Sequence, residues 1–342
     1  MKKNYLIVIA LINLIFLAPL SSQDKVIFQK ISRIILEEYD NSILSEINRI
    51  GIDSKNNFWV LDWQGCQMIK YDCYGKNPKI IARAGKGPGE LDRPDSIFID
   101  EKDNVYVTNI LHRVSIFDKN GKFIHAFIPS DGHRPTTCIA VLNDTIFLGG
   151  INKGLIKDEA KMIHAYTNKG TYLYSFYDIQ EEFYRRNLLM YRSAYFTIGA
   201  NSTIWAVQPV NHLISIFSSK GNFVRQIGEN PSYYRIPPPL SNKIRLNKNL
   251  FEEWKKKFTY VRNIFLSDTL AIVCSHTYKG NDSNEYFIDI YDNRTGAIIS
   301  SAHRFDYPLQ QVYKNKFYFS NIIIDKTKIG YKNAIEVYKI KQ

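Results

Sequence analysis

The sequence predicts an all-β fold, a six-bladed β-propeller in which each blade is a four-stranded antiparallel sheet. Three observations support this prediction. The 342 residues include 23 Tyr and 20 Phe, a composition typical of pleated sheets rather than helices. A hairpin pattern occurs six times along the chain. A second hairpin follows the first in five of these copies, which makes four strands per unit.

The first hairpin of the unit is clearest in residues 52–60 and 99–107, which read IDSKNNFWV and IDEKDNVYV. In both, an apolar strand leads into a tight polar turn and then into another apolar strand. Weaker copies follow, and the six turn positions recur every 41 to 66 residues, at Asn57, Asn104, Thr145, Thr203, Thr269 and Lys316. This recurrence predicts one blade per repeat, with insertions in some of them.

The second hairpin alternates apolar and polar residues and has a glycine at its turn, as in Asn120-Gly121 and Lys220-Gly221. Two hairpins form one sheet. Six separate sheets cannot each bury their faces, so we predict that they stack in a closed ring. The sixth copy ends with the chain, and we therefore expect a strand from residues 26–36 to complete the last blade.

The longest insertion covers residues 228–262, between blades 4 and 5. Leu250, Trp254 and Phe258 recur there at four-residue spacing among charged residues, which predicts a short amphipathic helix. We expect its apolar side to pack on the rim of the propeller, and a partner-binding helix is the alternative. A second insertion, 177–195, contains the acidic pair at 181–182, which we expect to lie in a loop.

The N-terminus predicts export and divides the chain into a signal peptide at 1–22 and a propeller at 23–342. Lys2 and Lys3 precede an apolar run at 5–17, and small residues follow it. The run is shorter than the ~20 residues that span a bilayer. We expect a cleaved signal, no stable membrane span after cleavage, and a location in the periplasm, at the cell surface or outside the cell. An uncleaved anchor helix is the alternative.

The chain is basic, with 45 Lys and Arg against 33 Asp and Glu and a formal net charge of +12. In an exported protein this indicates anionic partners, such as acidic glycans, lipid headgroups or phosphorylated molecules. Ordinary solubilising charge is the alternative. Nucleic acid is not an expected partner, because the chain carries an export signal and no recognised nucleic-acid-binding motif.

The four cysteines predict neither a zinc site nor an obvious disulfide. No CxxC pair is present. Cys66 and Cys73 flank a predicted strand at 68–72. Seven extended residues separate their Cα atoms by about 23 Å, whereas a disulfide tolerates about 7 Å. We expect no bond between them unless this segment folds back.

Two elements resemble a known family. Residues 211–213 read NHL and lead into an ISIF strand, which resembles the NHL repeat, and 111–114 is a variant of it. The linker 85–91, GKGPGEL, is similar to that of NHL-like and TolB-like propellers exported by Bacteroidetes-type bacteria. The resemblance implies six blades and a binding or scaffolding role. Some NHL-type propellers are zinc- or calcium-dependent enzymes, so a lyase or lactonase with its site in the central channel is the alternative function.

His112 and His212 occupy equivalent places in two blades. A catalytic zinc usually keeps three protein ligands, so two histidines are an incomplete set. The sequence identifies no catalytic nucleophile paired with a general base, because distance along the chain does not show which side chains lie close together in the fold. We therefore predict binding rather than catalysis, with no catalytic residues, no metal and no other cofactor.

The face predicted to bind carries the connections between blades and the loops between second and third strands. Arginine holds carboxylate, sulfate or phosphate groups in bidentate fashion, and aromatic rings stack on sugars. The candidate ligand-binding residues are Arg83, Arg93, His112, Arg113, Arg134, Arg185, Arg192, His212, Tyr233 and Arg235. They predict an anionic or carbohydrate-like ligand, or an envelope protein. The alternative is that these side chains only pack the insertions onto the rim.

Overall fold

The computed structural model describes residues 26–39, 42–109, 113–132, 138–150, 160–188, 194–280, 283–325 and 330–341. Within them the chain forms six antiparallel sheets of four strands each. The first strand of every sheet contacts the first strands of both neighbouring sheets, so the sheets close into a ring around a central channel. The predicted all-β, six-bladed propeller is confirmed.

The strands follow one another through the blades in chain order, from the channel to the outside. Blade 1 contains β2 (Arg49–Ile52), β3 (Phe58–Asp62), β4 (Gln67–Tyr71) and β5 (Lys79–Ala82). Blade 2 contains β6 (Pro94–Ile99), β7 (Val105–Asn109), β8 (Val114–Phe117) and β9 (Phe123–Phe127). Blade 3 contains β10 (Ile139–Leu142), β11 (Thr145–Gly149), β12 (Lys161–Tyr166) and β13 (Tyr172–Asp178).

The second half of the ring repeats this plan. Blade 4 contains β14 (Tyr195–Gly199), β15 (Thr203–Val207), β16 (Ile214–Ser218) and β17 (Phe223–Ile227). Blade 5 contains β18 (Thr259–Leu266), β19 (Leu270–Gly280), β20 (Ser283–Asp292) and β21 (Ile298–Phe305). Blade 6 contains β22 (Leu309–Tyr313), β23 (Lys316–Asp325), β24 (Gly330–Lys341) and, from the other end of the chain, β1 (Ile27–Ile35).

The hydrophobic core is divided among the contacts between neighbouring blades. Trp59 of blade 1 and Val107 of blade 2 are fully buried in one cluster. Phe147 of blade 3 packs with Ile204 of blade 4 in another. Similar clusters fill the other interfaces, including the one between blades 6 and 1. Because one sheet cannot cover both of its own faces, this stacking buries what each blade alone would expose.

The ring is closed by a strand from the N-terminal side of the chain. β1 pairs antiparallel with β24, from Ile27 opposite Lys341 to Ile35 opposite Ala334. The expected closure by residues 26–36 is therefore confirmed. Ion pairs support it, because the buried carboxylate of Glu336 lies 2.5 Å from Lys30 Nζ and 2.6 Å from Arg33 Nε.

The insertion between blades 4 and 5 contains the predicted helix. α2 (Asn242–Leu246) and α3 (Lys248–Lys255) follow each other, and the side chain of Asn247 caps α3 by accepting a hydrogen bond from the Leu250 amide. Trp254 is only 2% exposed, whereas Leu250 is 40% exposed. Trp254 and Phe258 belong to the hydrophobic cluster of blades 3 and 4, so the apolar side of α3 packs on the rim.

The expectation of a loop around residues 181–182 is wrong. Glu181 and Glu182 begin a short helix, α1 (Glu181–Arg185), between blades 3 and 4. Each pairs with an arginine one turn later, Glu181 with Arg185 at 3.1 Å and Glu182 with Arg186 at 2.7 Å. A helix this short has no hydrophobic period that a sequence pattern reveals.

The four cysteines are free thiols, at Cys66, Cys73, Cys138 and Cys274. Cys66 lies in the turn before β4, and Cys73 follows β4. The strand between them holds the two apart, which agrees with the expectation that they do not bond.

Candidate functional site in the central channel

One residue from each blade lies at the same level of the central channel. It stands three or four residues before the last residue of the blade's first strand, near the end of the channel where first strands begin. The six positions, which we call the channel ring, are Arg49, Asp95, Cys138, Tyr195, Arg262 and Gln310. Arg49 interacts electrostatically with four of the others, so the ring brings together residues from blades 1 to 5.

Three members of the channel ring are the extra residues of β-bulges. The register of blade 5 shifts by one residue around Arg262, because its two neighbours in β18 pair with consecutive residues of β19. The same shift surrounds Asp95 in β6 and Gln310 in β22. A bulge bends the strand and takes the extra residue out of the regular alternation of faces. The bulges therefore place these three polar side chains outside the packed faces between blades.

The charges of the channel ring are not neutralised by ion pairs. Arg49 Nη1 donates one hydrogen bond of 3.1 Å, to the adjacent carbonyl of Asn48. Within the described stretches, Arg49, Arg262 and Asp95 form no ion pair, although all three interact at longer range. The channel ring therefore contains two guanidinium groups and one carboxylate, a surplus of positive charge.

The protein around the channel acts on these groups. Burial lowers the pKa of the Arg49 guanidinium, and repulsion from Arg262 lowers it further. Burial raises the pKa of Asp95, and attraction by Arg49 and Arg262 opposes this rise. All three side chains remain partly accessible to water inside the channel. An anion that entered would meet two guanidinium groups in surroundings that strengthen electrostatic attraction.

Aromatic rings extend from the channel ring into blade 5. The hydroxyl groups of Tyr195 and Tyr260 lie 3.5 Å apart. The Tyr260 ring lies 5.5 Å from the ring of His276, which in turn lies 6.0 Å from that of Tyr286. Burial, followed by the charge of Arg262, lowers the pKa of His276 to about 3, so this imidazole is neutral at physiological pH.

A depression of about 370 Å³ opens next to Arg262, between blades 5, 6 and 1. Amide and hydroxyl side chains line most of it, among them Asn48, Asn284, Tyr286, Gln310, Ser320 and Asn321. Two carboxylates, Glu46 and Asp306, lie in the same lining. Glu46 precedes the first strand of blade 1 and Asp306 that of blade 6. The depression therefore lies on the face that carries the connections between blades, which is the face predicted to bind.

Three of the candidate arginines surround the linker 85–91. Arg113 Nη1 donates hydrogen bonds to the carbonyls of Lys86, at 2.8 Å, and Gly87, at 3.2 Å, and its Nη2 donates to that of Glu90. Its guanidinium thus holds the linker in place. Arg83 and Arg93 are exposed beside it.

Four further candidates lie around the connections of blades 3 to 5. His212 is fully buried, with Nδ1 3.1 Å from the hydroxyl of Tyr291, so its ring does not reach the surface. Tyr233 is half-buried and bonded to blade 5. Arg185 and Arg235 are exposed. The structure therefore spreads the candidates around the rim and does not bring them into one cluster.

The remaining candidates, His112, Arg134 and Arg192, lie outside the described residues. In the part of the chain that is described, no three His, Cys, Asp or Glu residues lie close enough to hold a metal ion. The channel ring was not predicted from the sequence. Aligning the six repeats by their first turns places its members in neighbouring columns, and that alignment is the signal that identifies them.

Fold and channel together define a six-bladed β-propeller whose channel has a positively charged ring. No family model matches the chain, and no curated protein matches its sequence. No match therefore supports the NHL or TolB-like subtype.

Solved structures show a similar fold. A Bacteroides fragilis protein described as exported superposes with a TM-score of 0.64 at 13% identity, over 94% of this chain and 97% of the other. A DUF4221 family member from Bacteroides vulgatus gives 0.66 at 12% identity, over 94% and 99%. A streptogramin B lyase gives 0.50 at 13% identity, over 94% and 89%. Identities this low establish the fold alone.

No helix in the described stretches is long and apolar enough to cross a bilayer. The predicted signal peptide, residues 1–22, lies outside them.

Proposed function

We propose that this protein is an exported, non-catalytic propeller that binds an anionic or carbohydrate-like ligand, or an envelope protein, through its loop-rich face. One observation carries this proposal: Arg49 and Arg262 lie in one enclosed channel, and neither has an ion-pair partner among the described residues. Placing two unpaired guanidinium groups together costs free energy through repulsion and lost hydration. A bound anion removes that cost by supplying charge-assisted hydrogen bonds.

The rim adds to this preference. Arg93 and Arg185 pair with Asp92 and Glu181, so they add little net charge. Arg83 and Arg235 are exposed in connections between blades, on the side of the channel ring. Their positive field attracts an anionic ligand toward the channel and accelerates its association. The amide-lined depression next to Arg262 offers donors and acceptors for the neutral part of such a ligand.

Export is supported by the N-terminal pattern of residues 1–22 and by a structural neighbour that is described as exported. The periplasm, the cell surface and the exterior are all compatible with this proposal.

A metal-dependent lyase or lactonase in the channel is the second candidate. The observation that favours it is the streptogramin B lyase among the structural neighbours. Metal analysis of the purified protein separates the two candidates. Stoichiometric zinc or calcium that is lost in His112→Ala or His212→Ala supports the enzyme.

The binding proposal is tested on an array of acidic and neutral glycans. We expect wild type to bind acidic glycans and Arg49→Gln and Arg262→Gln to bind them about tenfold or more weakly. Arg294→Gln is the matched control. Arg294 is exposed in the turn after β20, and its substitution changes the net charge by the same amount. Equal binding by wild type and both channel variants contradicts the proposal.

A further inference from the structure

The side chains that line the depression include a group with unused hydrogen-bonding capacity. Arg262, Asn284, Tyr286 and Asp306 all line it. None of these four side chains forms a hydrogen bond or an ion pair within the described part of the chain. Together they offer a cation, an amide, a hydroxyl and a carboxylate. This is the mixture of donors and acceptors that a ligand with one acidic group and several hydroxyl groups requires.

The charges of this region are separated by depth. The channel ring has Arg49 and Arg262 against the single carboxylate of Asp95. In the lining of the depression, Glu46 and Asp306 are exposed, whereas Arg262 is partly buried. Positive charge therefore dominates at the channel ring, and negative charge lies at the mouth.

We infer that the channel takes a sugar with a single negative charge at one end, a uronic acid or a sulfate monoester, whose remaining part is neutral. This inference rests on the proposed function, which it makes specific. The acidic group lies against Arg262, which lines the depression, within electrostatic range of Arg49. The hydroxyl groups meet Asn284, Tyr286 and Asp306 at the mouth.

The carboxylates of Asp95, Glu46 and Asp306 disfavour the binding of two other classes of anion. A phosphate monoester carries nearly two charges at neutral pH, and the carboxylate of Asp95 within the channel ring opposes the second charge. A polyanionic glycan places further charges at the mouth, where Glu46 and Asp306 repel them. A sugar with one negative charge at one end and no other charge avoids repulsion both at the channel ring and at the mouth of the depression.

The aromatic side chains of Tyr260, His276 and Tyr286 in blade 5 supply an apolar surface for such a sugar. Tyr286 lines the depression and also the narrower space beside Arg49 and Arg262. Its ring belongs to the row that continues through His276 to Tyr260. Aromatic faces pack against the CH groups of sugar rings, and a neutral imidazole adds no charge to this surface.

The test is titration calorimetry of the purified protein with probes of two sizes, disaccharides and monosaccharides, each compared only with probes of its own size. The probes are glucuronosyl-xylose, its carboxyl-reduced neutral form, digalacturonic acid, glucose 6-sulfate and glucose 6-phosphate. We expect glucuronosyl-xylose to bind about tenfold or more tightly than its neutral form and digalacturonic acid, or glucose 6-sulfate to bind about tenfold or more tightly than glucose 6-phosphate. The monoanion that binds more tightly than the controls of its own size identifies the acidic group.

Variants assign the effect to the named residues. Arg262→Gln is expected to reduce monoanion binding to the level of the neutral disaccharide, and Arg262→Lys to retain part of it. Asp306→Asn is expected to reduce the ratio between the affinity for glucuronosyl-xylose and the affinity for digalacturonic acid. Arg294→Gln leaves all affinities unchanged, and thermal unfolding midpoints verify that the variants fold.

The outcomes separate this inference from the proposed function. If digalacturonic acid or glucose 6-phosphate binds more tightly than the monoanion of its own size, and this binding is lost in Arg262→Gln, the monoanion inference is overturned. The proposed function, binding of an anionic ligand, is then still supported. Binding of no anionic probe here, together with no acidic glycan on the array, overturns both. Equal affinity for glucuronosyl-xylose and its neutral form, together with equal affinity for glucose 6-sulfate and glucose 6-phosphate, overturns the inference.

Discussion

The hydroxyl group of Tyr233 donates a hydrogen bond of 2.5 Å to Oδ2 of Asp289, a carboxylate that is fully buried in blade 5. The other oxygen, Oδ1, accepts a bond of 2.9 Å from the amide of Ala302. The Tyr233 ring stacks on Phe287 at 4.5 Å. Burial raises the pKa of Asp289 to about 6. Tyr233, a candidate ligand residue in the sequence, thus attaches the insertion before blade 5 to that blade.

Tyr233→Phe is expected to lower the free energy of unfolding by about 1–3 kcal/mol, because it leaves a buried carboxylate oxygen short of a donor while the stacked ring remains. Urea unfolding measures this change. Tyr74→Phe is the control, since Tyr74 is 74% exposed. An unchanged unfolding midpoint in Tyr233→Phe means that the hydrogen bond does not hold the insertion.

Glu336→Gln is expected to weaken the closure of the ring. Burial raises the pKa of Glu336, but hydrogen bonds from Lys30, Asn321 and Arg33 outweigh this and hold it below its usual value. A carboxylate with a lowered folded-state pKa stabilises the fold above its unfolded pKa, and this contribution is lost as pH falls through the folded pKa.

We expect Glu336→Gln to cost about 1–3 kcal/mol at pH 7, and the difference from wild type to shrink as the carboxylate becomes protonated. Urea unfolding at several pH values measures both effects. Glu253→Gln, which breaks an exposed pair with Lys256, serves as the control and is expected to change nothing. A difference that stays constant down to acid pH argues against the ion pairs.

His164 is expected to make the protein less stable in acid. It is fully buried, with Nδ1 2.6 Å from Ser175 Oγ, and burial lowers its pKa to about 4. The unfolded chain takes up this proton near pH 6.5, before the folded protein does. Stability therefore falls as pH falls from about 6.5 to about 4, by up to about 3 kcal/mol for this group.

His164→Gln is expected to reduce the slope of the pH dependence in that range, while the buried His212 and His276 maintain the rest of it. Unfolding at a series of pH values measures this slope. His125→Gln is the control, because His125 is partly exposed on the outer strand β9. Identical slopes in wild type and His164→Gln rule out this buried imidazole as a source of acid sensitivity.

Trp254→Ala is expected to cost about 3–5 kcal/mol, because it opens a cavity where α3 packs on the rim. The indole Nε1 also donates a hydrogen bond of 3.1 Å to the carbonyl of Pro238. Leu250→Ala, on the exposed side of the same helix, is expected to cost much less. Thermal and urea unfolding compare the two. If Trp254→Ala is tolerated as well as Leu250→Ala, the helix is free to bind a partner instead.

The blades were readable from the sequence because the interactions that form them are local. Asp53 Oδ1 accepts hydrogen bonds from the amides of Lys55 and Asn57, and Asp100 Oδ1 accepts them from the residues two and four places on. These turns lie within five residues, so the same letters recur wherever the same hairpin forms. The number of blades and the closing strand followed from counting such hairpins.

The candidate site required the folded chain. Arg49 and Arg262 are far apart in sequence and meet only because the ring closes, and Arg262 leaves the face of its strand only because β18 bulges against β19. Likewise, His212 and Tyr233 have the composition of ligand-binding residues, yet contacts with blade 5 occupy both. A residue's neighbours along the chain decide its hairpin, whereas its burial and charged surroundings depend on blades that the sequence places far away.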